Sequence, residues 1–168
     1  MLTGFMGTGK STVGRLLAER LGYEFVDTDE LIVVRHGPIP EIFANAGEAA
    51  FRRYERELAA ELAGVTGHVI ATGGRLLLDP VNAAALSATG DVFCLTAGVD
   101  TILARVTAEG VADERPLLAG PDVEARITTL LAERAEAYAA FEQIATDART
   151  PTAVAADIAA RIVPGRQG

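Results

Sequence analysis

Apolar positions along the chain switch between helical and strand spacing often enough to place most elements. Val13, Leu16, Leu17 and Leu21 recur at helical intervals, so a helix should start within the preceding glycine-rich stretch and run to about Arg20, with Gly22 ending it. Tyr23-Glu24-Phe25-Val26-Asp27 reads as a short strand opening onto Thr28-Asp29. Helical segments follow at Glu30–His36, Glu41–Ala46 and Glu48–Ala63, and Val69-Ile70-Ala71-Thr72 is a buried strand entering the turn Gly73-Gly74. A helix over Pro80–Ser87, a strand over Asp91–Thr96 and a helix over Asp100–Ala108 continue the series. Between Glu109 and Pro121 the periodicity breaks into Gly, Asp, Glu, Pro and Arg, which predicts a mobile loop carrying Arg115-Pro116-Leu117-Leu118. A long helix at Val123–Tyr138, a short strand at Gln143–Thr146 and a helix opening at Pro151, with Val154, Ile158 and Ile162 as its apolar stripe, complete the chain. Alternating strands and helices predict an α/β fold with a mostly parallel sheet, five-stranded on this count.

The length of 168 residues fits one domain, 1–168, with one sizeable core. With 49% hydrophobic and 23% charged residues, the composition is that of a globular protein and not of a disordered one. No uncharged apolar run approaches a membrane span, and no basic stretch leads an apolar one at the start, so a secreted or membrane fate is not supported. The single Cys94 excludes an internal disulfide, fits a reducing cytoplasm and reads as a buried strand residue. A net charge of −8 argues against a bulk electrostatic hold on nucleic acid or an anionic membrane. An anionic ligand would need local positive groups. Of those, fourteen are Arg and one is Lys, at position 10.

That lysine lies in Gly4-Phe5-Met6-Gly7-Thr8-Gly9-Lys10-Ser11-Thr12, which fits the pattern G-x-x-x-x-G-K-[ST]. Glycines there let backbone N–H groups converge on phosphate oxygens, and the helix behind adds its positive end. Lys10 should reach the β- and γ-phosphates of a nucleoside triphosphate, and the Ser11 hydroxyl should ligate Mg2+. A compact ammonium suits a tight backbone cradle better than a planar guanidinium, so the arginine bias stops where the chemistry requires it to. The strand leading into the loop has only Met1, Leu2 and Thr3 before Gly4; either it is short or the sequence begins after its true start. Such a strand is expected at the sheet centre, where shortness should cost stability.

Asp27-Thr28-Asp29 reads two ways. Strand alternation would send both carboxylates to one side, one toward a metal and one toward an acceptor hydroxyl. Equally, Thr28 or Asp29 could cap the helix beginning at Glu30. Arg52-Arg53, Arg115 and Arg134 are each a surface charge or an anion ligand when taken alone, and Gly73-Gly74 can present N–H groups to a ligand.

Taken in order, these segments resemble shikimate kinase over nearly the whole chain. The matching stretches are Gly4 to Arg15, Phe25 to Asp29, Glu41-Ile42-Phe43 leading to Gly47-Glu48, Phe51-Arg52 with Glu55, Thr72-Gly73-Gly74, Arg115-Pro116-Leu117-Leu118, and Arg134 with Tyr138. The resemblance implies a three-layer α/β/α P-loop kinase fold with a lid at about 109–121 and substrate-binding helices at about 30–63. It implies transfer of the ATP γ-phosphate to the 3-hydroxyl of shikimate. Lys10, Asp29 and Arg115 would be catalytic, with Asp29 polarising the hydroxyl and Arg115 arriving on the lid. Arg52 and Arg134 would clamp the carboxylate and Gly74 would bond ring hydroxyls. Gly7, Thr8, Gly9, Lys10, Ser11, Thr12, Arg105, Arg115 and Pro151 would hold ATP, and Ser11 with Asp27, through water, would hold Mg2+. The expected form is a cytoplasmic monomer acting on ATP and shikimate, without nucleic acid or membrane. The alternatives are another small-molecule P-loop kinase, acting on gluconate or a nucleotide, and a catalytically silent binding homologue.

Three departures stand out. Arg75 replaces a usual third glycine after Thr72, Gly37-Pro38-Ile39-Pro40 is Pro-rich and one residue short, and Ile144-Ala145-Thr146-Asp147 replaces a more acidic pattern. If the third glycine served a positive φ or a close ligand approach, Arg75 strains the turn or narrows the pocket; otherwise it points outward. In the intruding case, Arg75→Gly should raise substrate affinity.

Overall fold

The computed structural model describes residues 1–108 and 122–162. Five parallel strands form one sheet: β1 (Leu2–Gly4), β2 (Glu24–Asp27), β3 (His68–Ala71), β4 (Phe93–Thr96) and β5 (Glu142–Ala145), in the order β2-β3-β1-β4-β5. The helices are α1 (Lys10–Leu21), α2 (Thr28–His36), α3 (Ile39–Leu62), α4 (Pro80–Ser87), α5 (Val99–Ala108), α6 (Val123–Ala139) and α7 (Pro151–Arg161).

Both faces of the sheet are covered, which explains why the inner strands β3 and β4 read as nearly continuous apolar runs. Alternation divides them between the layers. Val69, Phe93, Leu95 and Ile144 pack with Val13 and Leu17 of α1 and with Val154, Ala155 and Ile158 of α7. Ile70 packs with Phe51, Leu58 and Leu62 of α3 and Leu86 of α4, while Cys94 packs with Ile102 and Val106 of α5 and Ile127 of α6. The result is the three-layer arrangement expected from the sequence. Ile158 is fully buried against α1 and the sheet. Ile158→Ala is expected to cost about 3 kcal/mol, read as a lower urea midpoint at unchanged slope.

The short first strand is central. Leu2 stands opposite both Ala71 and Phe93, and Gly4 opposite Leu95. Leu2, Thr3 and Gly4 are each buried, with β3 on one side of the strand and β4 on the other. The break predicted between Ala46 and Glu48 is real: Gly47, at φ 79°, ψ 169°, is not helical, and α3 is two helical segments meeting there at a kink. Pro38 and Pro40 sit at the start of α3, where a missing N–H costs nothing, so that helix begins before Glu41. A single turn of 3-10 helix at Leu76–Leu78 was not anticipated; its Leu76 and Leu77 are buried under α3 and α4.

Candidate active site

The crevice at the C-terminal ends of β1, β2 and β3 holds the chemistry, beside the strand where the sheet order reverses. The glycine-rich loop leaves β1 at Gly4 and delivers Lys10 to the first position of α1. Gly9 is the N-cap of α1 and brings no side-chain oxygen, and the first turn has no acid, so the helix end suits an anion. Inside the loop, Thr8 Oγ1 donates to Phe5 O at 2.7 Å and Lys10 Nζ donates to the same carbonyl at 3.0 Å.

Ser11 Oγ donates to Asp27 Oδ2 at 2.6 Å. Asp27 Oδ1 in turn accepts from the backbone N–H of Asp29 at 3.0 Å and of Glu30 at 3.4 Å. Asp27 is therefore the cap of α2, which corrects the expectation that Thr28 or Asp29 would cap it. Nor does strand alternation bring Asp27 and Asp29 to one side. The strand ends at Asp27, and Asp29 reaches the same cavity from the first turn of α2. The hydroxyl and carboxylate of Ser11 and Asp27 are hard oxygen donors that fit Mg2+, an ion usually bound by one or two protein groups plus substrate phosphates. Among the described residues no cluster of three or more His, Cys, Asp or Glu could hold a metal ion by itself.

One cavity of about 450 Å³ joins this loop to the predicted acceptor side. Gly7, Gly9, Lys10, Ser11, Thr12 and Asp27 line one end; Asp29, Arg52, Gly74 and Arg134 line the other. Its described walls carry four cations, Lys10, Arg52, Arg75 and Arg134, against three acids, Asp27, Asp29 and Glu55. A chain of net charge −8 thus concentrates positive groups at one place. Thr8, Arg105 and Pro151 do not line this cavity among the described residues. Arg105 instead donates to Gly7 O at 3.1 Å and to Thr146 O at 3.0 Å, tying the loop to the end of β5. Pro151 opens α7, capped by Thr150. Arg115 and the predicted lid lie outside the described residues.

Arg134 is the most telling side chain. It is 4% exposed, and its Nη2 has no hydrogen-bond partner among the described residues. The guanidinium lies 5.1 Å from the Phe5 ring centroid. One turn on, Tyr138 Oη donates to Gly74 O at 2.6 Å, which pins the glycine turn beside Arg134. A Cβ on Gly73 would collide with Asp29 Oδ1, so a side chain at that position would displace the Asp29 carboxylate. The Gly73 N–H is already bound by Thr28 Oγ1 at 2.8 Å, leaving Gly74 as the pocket's glycine.

Sequence reasoning left Glu48 and Glu55 without roles, although their spacing about Arg52 marks them as neighbours on one helix face. Arg52 donates to Glu55 Oε2 at 2.5 Å and to Glu48 Oε1 at 2.9 and 3.2 Å. Burial pushes the Glu55 carboxyl above its ordinary value, with Arg52 opposing that shift and Asp29 adding to it. Arg53, adjacent in sequence, is exposed and lies 3.7 Å from Glu57, a surface pair. Arg75 has φ −116°, ψ −8°, so the turn carries no left-handed strain. Its side chain lines the cavity and lies 3.4 Å from Glu48, neither pointing away nor crossing the pocket to the loop.

The family model for shikimate kinase matches residues 6–163. The chain is 49% identical over 140 residues to a shikimate kinase of Geobacter sulfurreducens, covering 83% of this chain and 76% of that one. It is 46% identical over 161 residues to one of Symbiobacterium thermophilum, covering 94% and 92%. Among solved structures, shikimate kinase from Acinetobacter baumannii in complex with shikimate superposes with TM-score 0.86 at 36% identity, over 94% of this chain and 88% of that one. A gluconokinase from Sinorhizobium meliloti reaches TM-score 0.59 at 19% identity, a likeness of fold alone.

Proposed function

The chain belongs to the shikimate kinase family, and from that premise we propose how its pocket divides the work. The enzyme transfers the γ-phosphate of ATP to the 3-hydroxyl of shikimate, giving shikimate 3-phosphate and ADP in chorismate and aromatic amino-acid biosynthesis. Phosphoryl transfer asks a protein for positioning and charge neutralisation more than for covalent help. Lys10 and the loop N–H groups take the β- and γ-phosphates. Ser11 and Asp27 would hold Mg2+, which when bound neutralises phosphate charge. Asp29 orients and polarises the acceptor hydroxyl and receives its proton. Gly74 bonds ring hydroxyls. Arg115 joins from the segment after α5, and Arg105 and Pro151 serve the adenine end.

Carboxylate recognition rests on Arg134, and its unpartnered Nη2 in a buried, cavity-lining position is the observation that carries this reading. A buried guanidinium with an unsatisfied donor is costly unless a ligand completes it. A carboxylate matches that fork, with Arg52 as the second donor. The reading takes the enzyme as a cytoplasmic monomer, in keeping with the free, buried Cys94.

Purified protein given ATP and Mg2+ should release ADP with shikimate, and not with gluconate or nucleoside monophosphates; absence of shikimate-dependent turnover would refute the proposal. Arg134→Ala should raise KM for shikimate about 10- to 100-fold, the value of a charge-assisted hydrogen bond. Arg134→Lys, which keeps charge but loses the fork, should fall between, and a thermal melt separates misfolding from lost binding. An unaltered KM in a folded variant would remove Arg134 from the clamp.

A further inference from the structure

Three of the five N–H groups of the Arg52 guanidinium bond its two glutamate neighbours, one from each nitrogen. Nη1 donates to Glu55 Oε2 at 2.5 Å, and Nε and Nη2 donate to Glu48 Oε1 at 3.2 and 2.9 Å. An incoming carboxylate gripped by the Nε–Nη2 fork must displace Glu48 from it; the other partner it could displace is Glu55, on Nη1. The two are unequal. The Glu55 side chain is 4% exposed, so stripping it of its cation leaves a buried charge, while Glu48 is 50% exposed at the rim. Glu48 is the partner to release. A released Glu48 would nevertheless stand as a negative charge near an arriving carboxylate, opposing it and competing for the same fork.

Arg75 answers that problem. Its Nη1 lies 3.4 Å from Glu48 Oε1, the oxygen that Arg52 also holds, and its side chain lines the cavity from the turn after Gly74. We infer that Arg75 is a positioning residue for the acceptor's carboxylate: it retains Glu48 as Arg52 turns its fork from Glu48 to the substrate. The exchange is a swap of ion-pair partners in which no charge is left unpaired. Arg52 foremost, with a smaller part from Arg75, holds the Glu48 carboxyl below its ordinary value, so Glu48 is anionic when shikimate arrives. This inference rests on the reading that Arg52 binds the carboxylate.

Steady-state kinetics test it. Arg75→Ala should raise KM for shikimate about three- to tenfold, while kcat and KM for ATP move less than about twofold. Arg75→Lys, which keeps the charge, should recover most of the loss. The deciding variant adds Glu48→Gln to Arg75→Ala: with no anion left to retain, KM for shikimate should return to within about twofold of the parent enzyme. A KM that is unchanged or lower in Arg75→Ala overturns the inference, and so does a raised KM that Glu48→Gln fails to restore, since Arg75 would then touch the substrate itself. Arg52→Lys separates the two layers of the argument. If it raises KM while Arg75→Ala does not, only the swap is wrong; if it leaves KM alone, the carboxylate role of Arg52 fails and the swap with it.

Discussion

Asp29→Asn is expected to lower kcat by about a thousandfold, with ADP affinity held within about twofold. The substitution keeps the shape and removes the charge and the proton acceptor. Asp29 is fixed from two sides. Its backbone N–H is bound by the Asp27 cap at 3.0 Å, and Gly73 passes so closely that any side chain there would strike its carboxylate. A carboxylate so placed has little freedom to be replaced in function by a neighbour, and Glu55 is already committed to Arg52. The ATP end should be indifferent, because the residues that line it come from the loop and the start of α1. Isothermal titration with ADP and initial rates with saturating shikimate give the two readouts. A kcat within tenfold of the parent would show that Asp29 orients the hydroxyl without accepting its proton.

Gly4→Ala should be the most damaging substitution of its kind among the described glycines, costing about 4 kcal/mol or more and abolishing nucleotide binding in whatever protein remains folded. Gly4 has φ 130°, a conformation that L side chains rarely adopt. An added Cβ would also be driven into the Leu95 carbonyl of β4, which is backbone and cannot swing aside. The strand register places Gly4 opposite Leu95 and leaves no slack on that side. Gly22→Ala is the control. It too has a positive φ, of 68°, but nothing lies within 4 Å of an added Cβ, so about 1 kcal/mol is expected. Thermal melts of both variants decide the matter, and equal losses would mean that the close approach to Leu95 is relieved by a small strand shift.

Much of the fold was legible because its elements announce themselves locally. The helix after Lys10 carries its own stripe and its own stop at Gly22, and α7 carries Val154 and Ile158 on one face. The phosphate loop was legible for a different reason, since its glycines and lysine have few other uses at that spacing. What local pattern could not supply was the set of partners. Asp27 became the cap of α2 because β2 stops there, and strand ends are decided by pairing with β3 rather than by the strand's own residues. Arg52 and Arg53 are adjacent, yet one lines the cavity and the other is exposed beside Glu57, because they lie on different faces of α3. Arg75 was framed as either an intruder or a bystander. The turn is unstrained and the side chain does line the cavity; what local pattern could not show is Glu48, which meets it from another element.

The central position of β1 bears on how the protein is made. A ribosome delivers Leu2, Thr3 and Gly4 before either flanking strand exists, and their partners at Ala71 and Phe93 emerge much later. A parallel sheet gives such a strand nothing local to pair with, so it must wait. The phosphate loop hangs from that strand, so its geometry cannot be set until β4 has been synthesised. Nascent chains stalled before Phe93 should fail to retain ATP, however complete the loop's own sequence is, and those stalled well beyond Thr96 should begin to capture it. A motif translated ahead of the strands that flank its own is thus among the last to become functional, and free nucleotide in the cell would act on folding only at that closing stage, by stabilising the finished site.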